Sequence, residues 1–207
     1  MDIRSILKSL SKKRPIFHSE ADFQHALAWE IQRKYPGAKI RLELHPKRLG
    51  AREYLDILVE YKGKTYAIEL KYKTKKLSYI DKDDEEFNLL NQSAQDIGRY
   101  DFIKDVVRLE GFVKKHKNSV GYAIILTNDR GYWRQSNRDT VDSDFRIHEA
   151  KELRGSLKWD IRASEGTRRG RDIILKLNGF YTINWNHYSD INNSEFKYAL
   201  VEICAQH

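Results

Sequence analysis

The sequence predicts an α/β domain, a mixed β-sheet flanked by helices with a β-rich extension at its C-terminal end. Three observations carry this. Residues 54–72, YLDILVEYKGKTYAIELKY, are two segments rich in Val, Ile, Leu and Tyr joined by Lys62-Gly63, which reads as a β-hairpin. Residues 120–127, VGYAIILT, form a continuous apolar run of the kind found in strands covered on both faces. Between them, Leu90, Ala94, Ile97, Ile103, Val107 and Phe112 recur at roughly helical spacing. Residues 87–115 are therefore expected to form one long helix, broken or kinked near Gly98. Strand, helix and strand in that order imply a right-handed crossover and a parallel pair.

The remaining elements follow along the chain. Ile3, Ile6, Leu7 and Leu10 stand at helical spacing and lead into the basic cluster Lys12-Lys13-Arg14, so residues 1–14 read as a short amphipathic helix. Ser19 precedes Asp22 by three residues in the manner of an N-cap, and Phe23, Leu27 and Ile31 carry a second helix to about Tyr35, where Pro36-Gly37 stops it. KIRLELH at 39–45 alternates Ile40, Leu42 and Leu44 with Arg41 and Glu43, the pattern of a half-buried strand. Residues 71–76 are strongly basic, and the acidic run 81–86 reads as a solvated, mobile loop. From 128 to 171 periodicity lapses while polar residues, Gly and aromatics accumulate. Asn178-Gly179 between two apolar runs suits a type I′ hairpin turn, and 196–203 supplies a last strand. The expected organisation is a core over 1–128 and a C-terminal β-hairpin extension over 129–207 packed on it, one compact domain.

Composition narrows the function classes. Lys and Arg number 38 against 30 Asp and Glu, a formal charge of +8, which favours a polyanionic partner. The one cysteine, Cys204, excludes an intramolecular disulfide and a multi-cysteine zinc site. Apolar runs are far shorter than a membrane span, and residues 1–14 lack the apolar block of a signal peptide, so a soluble, cytoplasmic protein is expected. No P-loop, G-x-G-x-x-G or Ser-centred elbow is present, which weakens nucleotide-hydrolase and esterase readings.

One charged patch stands out. If Lys62 and Gly63 are the loop residues, Tyr61 pairs with Lys64, and counting outward sets Asp56 opposite Glu69. Lys71 then shares their face. Like charges set opposite each other destabilise a sheet, by about 4 kcal/mol at 4 Å for an effective dielectric near 20. A divalent cation between them reverses the sign. Asp56 also interrupts LDILV, a run apolar enough to be a central strand.

Asp56, twelve intervening residues and then Glu69-Leu70-Lys71 resemble the signature of the PD-(D/E)XK nuclease superfamily, with Leu55 standing where many members have Pro. The resemblance covers about 19–128. It implies a restriction-endonuclease-like fold and Mg²⁺, with Mn²⁺ able to substitute, held by Asp56, Glu69 and the carbonyl of Leu70. Lys71 would handle the attacking water. Members often place a Glu near the start of the helix preceding the sheet, which points to Glu20 for the catalytic and metal set, with Glu30 as the alternative. Some carry a Gln and a Tyr four apart on the crossover helix, whereas Gln95 and Tyr100 here are five apart.

The expected activity is metal-dependent hydrolysis of phosphodiester bonds, with DNA favoured over RNA. The alternative is a nucleic-acid-binding module that does not cut. Double-strand cleavage with one active site per chain would favour a homodimer. Candidate nucleic-acid contacts are Arg48 and Arg52 beside the hairpin, Gln95 and Arg99 on the crossover helix, and Arg168, Arg169 and Arg171 in a glycine-flanked loop that can follow a phosphate backbone.

Overall fold

The computed structural model describes residues 1–45, 54–136 and 138–205. Its first two elements are helices, α1 (Ile3–Lys13) and α2 (Glu20–Lys34), each started by a side-chain cap. Asp2 accepts the N–H of Ser5, and Ser19 accepts that of Asp22, satisfying donors that a helix start leaves free. Strand β1 (Lys39–Leu44) then runs antiparallel to β2 (Leu55–Tyr61). Lys62 and Gly63 have φ of 48° and 73°, the positive values a type I′ turn requires, and they fold β2 back onto β3 (Lys64–Lys73).

After β3 the chain makes a small two-stranded sheet, β4 (Leu77–Ile80) with β5 (Glu86–Leu89), before entering α3 (Gln95–Lys115). Helical periodicity over 87–115 thus overran the element, because Phe87 and Leu89 face inward by strand alternation rather than helical spacing. The acidic run between them is a tight turn: Asp81 Oδ1 accepts the N–H groups of Asp83 at 2.8 Å and Glu85 at 2.9 Å. Nor does Gly98 break α3. A Cβ there would lie 2.2 Å from Tyr132 Oη, so the glycine admits a buried tyrosine against an unbroken helix.

Strand β6 (Ser119–Thr127) returns parallel to β3, completing the crossover. Beyond it lie a 3-10 turn at Ser143–Phe145, β7 (Glu152–Leu157), the short helix α4 (Glu165–Arg168), β8 (Leu175–Thr182), β9 (Trp185–Ile191) and β10 (Ser194–Cys204). The main sheet has six strands in the order β1-β2-β3-β6-β10-β9, mixed in direction. One face packs Ile57, Val59, Ile68 and Leu70 under Leu7, Phe23 and Leu27. The other packs Leu58, Ala67, Ala123 and Ile125 under Phe102, Val106 and Leu109 of α3. No helix among the described residues is long and apolar enough to cross a membrane.

The C-terminal part departs from an appended hairpin. Asn178-Gly179 is not a turn but lies inside β8, which pairs with β7. The register slips there, and Glu110 of α3 accepts the N–H groups of Asn178 at 3.0 Å and Gly179 at 2.7 Å and the hydroxyl of Tyr181 at 2.8 Å. A buried carboxylate thus supplies acceptors for a bulge, and the chain runs on. The tight turn is Asn192-Asn193, with φ of 45° and 62°, joining β9 to β10, and both strands extend the central sheet.

Candidate active site

The β2–β3 ladder runs from Tyr61 opposite Lys64 to Ile57 opposite Ile68, the register the hairpin arithmetic requires. There the strands part. Leu55 stays paired with Leu44 of β1 while β3 continues along β6, leaving main-chain groups of β3 without a strand partner on that side. Carboxylates fill the gap: Asp56 Oδ2 accepts the N–H of Leu70 at 2.6 Å, and Glu20 Oε2, from the first turn of α2, accepts the N–H of Tyr72 at 2.7 Å. The carbonyl of Leu70 accepts Lys71 Nζ at 3.0 Å. Glu20, Glu43, Asp56 and Leu70 border a cavity of about 280 Å³.

Glu69 and Lys71 meet α3. Lys71 Nζ lies 2.8 Å from Asp105 Oδ2, and Glu69 is ion-paired with Arg108, which also donates to the Tyr54 carbonyl at 2.7 Å. Asp105 and Arg108 are 3.4 Å apart. Neither was singled out from the sequence, although a signal existed. Asp105 stands three residues after Phe102 and four before Leu109, a charge inside the stripe α3 buries. Gln24 was also missed: its Nε2 donates to the Asp56 carbonyl and to Glu43, each at 2.7 Å. Glu43 has φ of 49°, an uncommon conformation for a residue with a side chain, and was expected to be an ordinary outward residue of β1.

The electrostatics follow from burial. Desolvation pushes the Asp56 carboxyl up to about 6, against the opposing pull of the Leu70 N–H and the Lys71 charge. Glu69, 2% exposed, is driven well above the usual carboxylate range by burial, then by Asp105 and Asp56, with Arg108 pulling the other way. Burial raises Asp105 as well. For Lys71, burial alone would lower the ammonium, but Asp105, Glu20 and Asp56 outweigh it and hold the amine above its ordinary value. The lysine is charged at neutral pH.

Asp56, Glu20 and the Leu70 carbonyl offer only hard oxygen donors, which suits Mg²⁺ or Mn²⁺. As arranged, no group of three or more His, Cys, Asp or Glu side chains among the described residues could hold a metal ion. The acids are engaged elsewhere, Glu69 with Arg108 and the other two with main-chain N–H groups.

The other sequence candidates separate clearly. Glu30 does not reach the cavity; it is buried between Lys13 and Arg33, each at 2.7 Å, and ties α1 to α2. Gln95 Nε2 donates to Asp129 Oδ2 at 2.8 Å. Arg99 is not an exposed contact: it is 5% exposed, ion-paired with Asp142, and donates to the Gly131 carbonyl at 2.7 Å. A guanidinium in that seam must be paired, because an isolated buried charge is costly. Arg171 reaches Asp101 at 3.3 Å, Arg168 stands 4.0 Å from Asp172, and Arg169 is exposed. Arg48 and Arg52 lie outside the described residues.

No family model, curated protein or solved structure matches this chain. Fold and site by themselves define a class, a mixed-sheet α/β domain whose central hairpin splays around buried carboxylates beside a charged lysine.

Proposed function

We propose that the protein is a metal-dependent nuclease of the PD-(D/E)XK kind with a restriction-endonuclease-like core, hydrolysing phosphodiester bonds of nucleic acid, DNA in preference to RNA. The observation that carries this reading is the splayed hairpin. It buries Asp56 in a form that resists ionisation and sets it with Glu20 and Leu70 around one cavity, with Lys71 donating to the Leu70 carbonyl. The charge of +8 suits the polyanionic substrate.

Asp56 and Glu20, released from the main-chain N–H groups they now accept, would hold the ion with the Leu70 carbonyl, and Glu69 would join them once released from Arg108. Bound there, Mg²⁺ would polarise a phosphoryl oxygen and stabilise developing charge. Lys71, kept charged by its acidic neighbours, orients the attacking water and opposes the growing negative charge. Asp105 is a positioning residue that holds the Lys71 amine. Arg108 neutralises Glu69 until it is needed.

The second reading, a binding module without cleavage, is favoured by one observation: Glu69 and Lys71 already have internal partners. Calorimetric Mn²⁺ titration beside a plasmid-nicking assay separates the two. Wild type should bind Mn²⁺ and nick, and Asp56→Asn should lose both. Lys71→Ala should keep metal affinity while turnover falls by about 10²-fold or more. Wild type that neither binds Mn²⁺ nor cuts DNA or RNA would leave only the binding module.

A further inference from the structure

A second, chemically different cavity lies where the segment after β6 folds against the first turns of α3. Its volume is about 560 Å³. Five arginines line it, Arg99, Arg130, Arg134, Arg138 and Arg146, against two acids, Asp96 and Asp142. The inner two are anchored: Arg99 pairs with Asp142, and Arg146 lies 3.4 Å from Asp142 while donating to Thr140 Oγ1 at 2.7 Å. Burial, and then the neighbouring Arg99 charge, lower the Arg146 guanidinium from its ordinary value, so cations are already crowded there.

The outer three, Arg130, Arg134 and Arg138, are exposed, and no ion pair among the described residues engages them. Converging uncompensated guanidinium groups repel one another, and an anion among them relieves the repulsion. Their planar forks match phosphate oxygens in particular.

The cavity also borders basic residues that follow the strand carrying Lys71. Arg130 lines an adjoining cavity of about 400 Å³ together with Lys75 and Lys76, which follow directly on the strand that carries Lys71. Arg99 and Arg108 belong to the same helix.

We propose that the arginine cavity is a phosphate subsite, taking a backbone phosphate of the same nucleic-acid strand whose scissile bond lies at Asp56 and Lys71. The inference rests on the nuclease reading for its register, but not for its chemistry.

The test measures binding without metal, so that nothing is cut. Fluorescence anisotropy of labelled DNA, duplex and single-stranded, is followed over a salt series for wild type and for the combined variant Arg130→Ala, Arg134→Ala, Arg138→Ala. Affinity should fall about tenfold or more, and the slope of log K against log salt should shrink by about two to three. The thermal midpoint should be unchanged, and Arg134→Glu alone should move binding in the same direction. Unchanged affinity and slope in both variants overturn the proposal, even if the protein cuts DNA. Conversely, the expected loss in a protein that never cuts leaves the subsite standing and removes only the nuclease reading. Calorimetry with inorganic phosphate distinguishes the source: sub-millimolar binding that disappears in the combined variant would assign the cavity to a small phosphate compound and overturn the strand assignment.

Discussion

At the scale of single residues, the function proposed for Asp56 and its contribution to stability are opposed. Its folded-state pKa, about 6, lies above the ordinary 3.8, so the fold prefers the protonated acid. Between those values the native state binds more protons than the unfolded state, and its stability declines as pH rises. Asp56→Asn lacks this penalty. Below pH 4 the variant and wild type should be similar in stability. As pH rises from 4 to 6 the variant should gain about 3 kcal/mol and keep that lead above 6. Urea unfolding at several pH values checks the sign; a variant less stable than wild type at pH 7.5 would make Asp56 a structural residue.

Glu30 runs in the opposite direction and belongs to the scale of elements, because it joins α1 to α2. Hydrogen bonding from Arg33, followed by an opposing burial effect and the bond from Lys13, brings its carboxyl down from 4.5 to about 2. The stabilisation is complete above the unfolded pKa and is lost as pH falls through the folded one. Its partners are about half exposed, so solvent screening reduces the contribution to about 1–2 kcal/mol. Glu30→Gln should therefore lower stability at pH 7 by that amount and flatten the loss wild type shows between pH 4.5 and 2. Metal binding and nicking should be unaffected, which separates this acid from Glu20. Circular-dichroism melts across that range, beside the nicking assay, test both statements.

Across the whole molecule, the strands near the end of the chain complete the domain rather than decorate it. β10 pairs with β6 from Lys197 opposite Thr127 to Cys204 opposite Val120, and its residues enter both apolar layers, Phe196 and Leu200 in one, Ala199 and Val201 in the other. Tyr188 and Ser189 of β9 donate to the carbonyls of Arg14 and Pro15, at 2.9 Å and 2.5 Å, tying the sheet to the α1–α2 connection. A chain cut after residue 184 leaves β6 as a long apolar edge. It should lack a cooperative thermal transition and aggregate. A sharp melt from that truncation would make β9 and β10 an appendage to a domain that folds without them.

How much of this was legible in the sequence depended on how local the cause was. The hairpin register and the parallel crossover rest on alternation, a two-residue turn and apolar runs, so the pairing could be counted from Tyr61 opposite Lys64 to Ile57 opposite Ile68, one pair short of Asp56 and Glu69, where the strands part. Charge balance likewise needs no structure. Contacts between distant segments decided the rest. Asn178-Gly179 has the local chemistry of a turn, yet Glu110, 68 residues away, supplied acceptors that made it a bulge. Arg99 resembles a surface contact until Asp142, 43 residues on, encloses it. Asp105 joined the site only because the crossover laid its helix over Lys71. Short-range patterns set which strands pair and in what register, because each choice involves only neighbouring residues. Which charges end up paired and which remain available is a property of packing between segments far apart in the chain, and only the tertiary structure decides it.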